Sequence, residues 1–151
     1  MVKIYKKILF VTDGSPHSDI LAKKIIEFER EWDCKIVIFH SIKDNIHISK
    51  FNFDNYNSSL NYRYNEEIRK ELGIEILKRT KKIFDEANLP VELQLIEDED
   101  SESYIKRRIQ QEEFDLVVIG NDFHYKSKKS FLRPKFTKIL NHHTCDVLIM
   151  T

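Results

Sequence analysis

The residues best suited to chemistry sit just behind short apolar runs. Asp13 lies in Thr12-Asp13-Gly14-Ser15, directly after Ile8-Leu9-Phe10-Val11. A carboxylate at such a turn can accept hydrogen bonds from a ligand, or it can cap the backbone N–H groups of its own turn. Local capping is the expected role. A second cluster is basic: Lys126, Lys128, Lys129 and Arg133. Lysine and arginine both bind phosphate, but a solvated charge run is the expected reading. His17, His40 and His124 could join Asp13 as zinc donors. No pair among them has helix or hairpin spacing, so no metal site is expected. The chain has no Gly-x-Ser-x-Gly elbow and no Cys-His arrangement in a motif context, so nucleophilic catalysis finds no support. Its two cysteines, Cys34 and Cys145, are far apart and lack metal or CxxC spacing. Reduced thiols in a cytoplasmic protein are expected.

Alternating strands and helices must position these groups. Ile8 to Val11 reads as a buried strand ending in a tight turn. Ser15-Pro16 is a helix start, a hydroxyl cap followed by proline at the first helical position. That helix should run to about Trp32, with Leu21, Ile25, Phe28 and Trp32 on its inner face. Lys35 to His40 is a second strand. Residues 44–65 break the rhythm, with six asparagines, five aromatics and no Gly or Pro. A connection that long is usually functional or disordered, and its aromatics suggest packing on the body or on a protein partner.

Helical period returns from Glu66 to Asn88, with Ile68, Leu72, Ile76, Ile83 and Ala87 in one stripe. Gly73 within it costs about 1 kcal/mol relative to alanine. Asn88 suits the C-terminal cap. Val91 to Ile96 alternates like a half-exposed strand. Ser101 is the expected cap of a short helix carrying Tyr104, Ile105 and Ile109. Phe114 to Ile119 is a buried strand closed by Gly120. Pro134 opens a last helix, and Val147 to Met150 forms a final strand. The fold class is therefore α/β: a single domain over 1–151 with an open, parallel, five-stranded sheet and helices on both faces. A small-ligand site belongs at the carboxyl edge, where strand order reverses.

Composition narrows the function classes. Lys plus Arg equals Asp plus Glu, 25 against 25, which argues against a nucleic-acid binder working by phosphate neutralisation. No stretch approaches the roughly 20 apolar residues of a membrane span.

Three segments together resemble the universal stress protein family. They are Lys7 to Ser15, Phe114 to Gly120, and Lys138 to Met150, in order along the chain with 44–65 inserted. The resemblance implies strand order 3-2-1-4-5, the adenine-nucleotide α-hydrolase-like arrangement, with Asp13 near any nucleotide. It also implies a homodimer through the final strand, 147–150, whose apolar edge invites pairing. ATP-binding members carry a loop of Gly, two residues, Gly, nine residues, Gly, then Ser or Thr. Glycines let backbone N–H groups approach phosphates. Here Gly120 fits the first position, but Phe123, Arg133 and Pro134 occupy the others, and Pro134 has neither hydroxyl nor N–H. The expectation is a stress-response protein that is not an enzyme, acts by binding and dimerisation, and uses no cofactor. The alternative is an ATP or AMP-binding regulator using Asp13, Gly120, Lys126, Lys129 and Arg133. A related hydrolase-like enzyme would need a glycine-rich loop after the first strand, where only Gly14 stands.

Overall fold

A computed structural model describes residues 5–43, 66–111, 114–120 and 145–150. Its elements are β1 (Lys7–Val11), α1 (Pro16–Trp32), β2 (Lys35–Ser41), α2 (Glu66–Glu86), β3 (Glu92–Ile96), α3 (Ser101–Gln110), β4 (Leu116–Gly120) and β5 (Asp146–Met150). The five strands form one sheet in the order β3-β2-β1-β4-β5. Every neighbouring pair is parallel. The expected architecture and strand order are therefore present. The segment 44–65 and the expected helix from Pro134 lie outside the described residues.

Alternation along the central strands builds two cores. Ile8 and Phe10 of β1, with Ile36 and Ile38 of β2, face α1 and α2. Leu9 and Val11, with Val37 and Phe39, face Tyr104, Ile105 and Ile109 of α3. Successive side chains of a strand point to opposite faces, so one apolar run serves both layers. Residues Ile8, Leu9 and Phe10 have no exposed surface.

Helix ends follow local chemistry. Ser15 caps α1, its side chain accepting from the Ser18 N–H, with proline next. At α2 the Asn88 N–H bonds the Asp85 carbonyl and the Leu89 N–H bonds the Phe84 carbonyl, both 2.9–3.0 Å. Asn88 is left-handed at φ 59°, which completes a Schellman ending. The start of α3 differs from expectation. Asp100 is the cap, accepting from the Ser103 N–H at 2.8 Å, and Ser101 is the first helical residue. The inner stripe of α2 also shifts. Leu77, Thr80 and Phe84 are buried beside Leu72 and Ile76, whereas Ile83 and Ala87 pack only partly.

The amino edge of β1 is tied across the sheet. The Asp115 carboxylate accepts from the Lys6 and Lys7 N–H groups at 2.8 and 2.9 Å. The Tyr5 hydroxyl donates to Asp146 at 2.6 Å.

Gly73 has a positive reason to be in α2. A Cβ there would lie 2.7 Å from Leu95 Cδ1, 3.1 Å from His40 Cδ2 and 3.4 Å from Ile42 Cγ2. The helix therefore rides closely on β2 and β3. Leu95 can yield, but the His40 ring is held by a hydrogen bond. Overpacking of about 2 kcal/mol should outweigh the helix-propensity gain of about 1. Gly73→Ala should lose about 1 kcal/mol in urea denaturation. A stabilised Gly73→Ala would refute the close approach.

Candidate functional site: the carboxyl edge of the sheet

Between β1 and β4 the chain order reverses, and the turn after β1 faces that crevice. Its polar groups are buried: Thr12 is 0 % exposed and Asp13 6 %. Asp13 Oδ1 accepts from the Ser15 N–H at 2.9 Å and from the Ser18 hydroxyl at 2.8 Å. Ser15 Oγ in turn accepts from the Ser18 N–H at 3.1 Å. Gly14 takes φ 78° to let the turn close. A carboxylate thus already stands at the N-terminus of α1, where a phosphate would otherwise be drawn. This is the capping role expected of Asp13. Ser15 is the cap expected from the sequence, whereas Ser18, which ties that cap to Asp13, was not singled out there.

Beneath the turn runs a chain of hydroxyls. The Thr80 hydroxyl donates to the Ile76 carbonyl at 3.0 Å. Its one proton being spent, it must accept from the Thr12 hydroxyl, also at 3.0 Å. This contact locks α2 to the end of β1. The sequence reading missed Thr80.

His40 completes the knot. It is 0 % exposed, and its Nδ1 lies 2.9 Å from the Thr12 carbonyl. A carbonyl only accepts, so Nδ1 carries the proton and Nε2 is the bare acceptor. Nε2 has no partner among the described residues. Burial pushes the His40 pKa down. The hydrogen bond to Thr12 and the Asp13 charge oppose that, while Arg69 reinforces it. The rim is braced nearby, where the Ser41 hydroxyl donates to the Glu99 carbonyl at 2.5 Å and Arg69 Nε to the Ile42 carbonyl at 2.6 Å.

Of the sequence candidates, Asp13 sits in this edge, and Gly120 closes β4 opposite Met150. Lys126, Lys129 and Arg133, with Phe123, His124 and Pro134, lie outside the described residues. His17 is half-buried in the first turn of α1, while His40 lies in the core with its Nδ1 engaged. Among the described residues, no three His, Cys, Asp or Glu side chains are arranged to hold a metal. No described helix is long and apolar enough to cross a membrane.

The profile of the universal stress protein family matches residues 4–151. This chain belongs to the universal stress protein family. A relative is "Universal stress protein MJ0531" of Methanocaldococcus jannaschii, 24% identical over 147 residues, which cover 97% of this chain and 82% of that one. The fold is similar to a universal stress family protein from Burkholderia pseudomallei, with TM-score 0.62, 16% identity, and 99% and 98% of the two chains covered. It is also similar to an Arabidopsis thaliana family protein solved with AMP bound, with TM-score 0.59, 16% identity, and 96% and 90% covered. At these identities the structural likenesses speak for the fold.

The buried histidine has a pH consequence for this family member. Its folded pKa lies below the ordinary 6.5, so the unfolded chain takes up the proton first. The neutral ring's contribution is complete above about pH 6.5 and is lost as pH falls, by at most about 1.4 kcal/mol per pH unit. His40→Asn keeps a donor for Thr12 but cannot titrate. It should be less stable overall and show a shallower loss between about pH 6.5 and 5 in denaturant midpoints. An unchanged slope would remove His40 from the account.

Proposed function

We propose that this chain is a non-catalytic universal stress protein, cytoplasmic, acting by self-association and binding, with an ATP loop that no longer holds triphosphate. One sequence observation carries the reading: Phe123, Arg133 and Pro134 replace two glycines and the hydroxyl residue of the family's phosphate loop. A ring and an imino acid keep bare backbone from reaching phosphate oxygens. The turn after β1 supports it, because the Asp13 carboxylate occupies the end of α1 and is engaged by Ser15 and Ser18. Both cysteines are buried and form no disulfide among the described residues, in keeping with a reducing compartment. Self-association would use β5, the edge strand beside β4, whose unpaired side can accept a second copy. The segment 44–65 is a second surface for a protein partner.

A second reading keeps a monophosphate such as AMP through Asp13, Gly120, Lys126, Lys129 and Arg133. The AMP-bound structure of the same fold favours it. A monophosphate makes fewer demands on the glycine loop than ATP.

Calorimetric titration with Mg²⁺-ATP and with AMP separates the two. The expected outcome is no binding of either at micromolar affinity. Binding of AMP alone would favour the second reading, and tight ATP binding would overturn both. The combined changes Phe123→Gly, Arg133→Gly and Pro134→Ser should create ATP affinity, by at least about tenfold. Sedimentation at tens of micromolar should show a dimer, and a strict monomer would defeat the self-association reading.

A further inference from the structure

His40 of β2 is a junction. Its Nδ1 donates to the carbonyl of Thr12, just beyond β1. Leu95 of β3 is its partner across the sheet. Its Cδ2 lies so close to Gly73 of α2 that a Cβ there would be 3.1 Å away. The residue has no exposed surface, and Nε2 has no hydrogen-bond partner among the described residues.

That geometry suits only the neutral ring. A second proton, on Nε2, would be a charged donor with nothing beside it to accept, which is far costlier in the interior than a bare acceptor. Two charges reach the ring. Asp13, in the turn after β1, favours the cation, and Arg69 of α2 opposes it. From β3 and the end of β2 the near groups are the apolar Leu95 and Ile42. Burial, with Arg69, holds the ring below its ordinary pKa of 6.5.

The helix lying on the ring is held unevenly. Its second half is anchored, because Leu77 and Phe84 belong to the core shared with β1, β2 and α1, and Thr80 bonds Thr12. Its first half buries Leu72 and is otherwise tied at the rim. Arg69 Nε donates to the Ile42 carbonyl at 2.6 Å. Lys43 pairs with Glu66 at 3.5 Å and Lys70 with Glu97 at 3.4 Å, both in the open, where such pairs contribute little. The halves meet at Gly73, the weakest helix former in α2.

We propose that protonation of His40 lifts the first half of α2: residues 66–73 swing away from β2 and β3 about Gly73, and water reaches Nε2. This acid-opened flap goes beyond the proposed function and holds whatever the carboxyl edge binds. The closed ring resists the proton, whereas the open ring titrates ordinarily. The balance is therefore level above about pH 6.5 and shifts toward the open form by up to about tenfold per pH unit below it, until the closed ring itself is charged.

The test is amide hydrogen exchange of the full chain by NMR between about pH 7.5 and 5, corrected for intrinsic exchange, with and without about 1 M urea. The amides of 70–77, which bond the carbonyls of 66–73, should open up to about tenfold more per pH unit below about 6.5. Their opening should depend less on urea than that of Ile38 and Phe84, which report global unfolding. His40→Asn leaves the rim ion pairs in place and should abolish the rise. Exchange of 70–77 that follows Ile38 and Phe84 in both pH and urea would overturn the proposal, as would the same rise in His40→Asn. Ring-nitrogen shifts of the unaltered protein give a check that needs no variant. The charged fraction of His40 should grow with the opening of 70–77, and a ring that protonates while those amides keep their protection defeats the flap.

Discussion

The structure depends on β1 being covered on both faces and on both edges. A strand so placed cannot send its last polar groups to water. Everything beyond Val11 must therefore be satisfied from within the protein. Thr12 does this three ways: its N–H bonds the Phe39 carbonyl, its carbonyl takes the His40 ring, and its hydroxyl reaches Thr80. Asp13 then closes the turn onto α1. The crevice at the strand end is thus a consequence of how a central strand is terminated.

The same constraint explains why the family fold is retained at low sequence identity. The β1 turn, the α1 cap and the α2 contact are held by core burial and internal hydrogen bonds, so their residues answer to stability.

How much was legible follows from where the determinants lie. The start of α1 was readable because Ser15-Pro16 is complete in itself. The strands β1, β2 and β4 were readable as apolar runs bounded by turns, and the sheet order came with the family resemblance. The start of α3 was not, because Asp100 and Ser101 are both good caps and only the backbone decides between them. Gly73 looked like a weakness in α2 until the ring of His40, from a strand more than thirty residues away, was found against it. Thr80 is polar in a buried row, and periodicity alone cannot show that Thr12 will need it. The capping role of Asp13 was visible in the sequence, because a carboxylate in a Thr-Asp-Gly-Ser turn has backbone N–H groups within reach.

The tie from Asp115 to the amides of Lys6 and Lys7 spans over a hundred residues. Translation makes the two ends at different times. While the ribosome is still supplying the residues before Leu116, β1 can join β2 and α1, but one edge of the innermost strand stays bare until Leu116 emerges. The nascent protein therefore carries a sticky, half-built centre until β4 is made. Its early vulnerability lies in that waiting period.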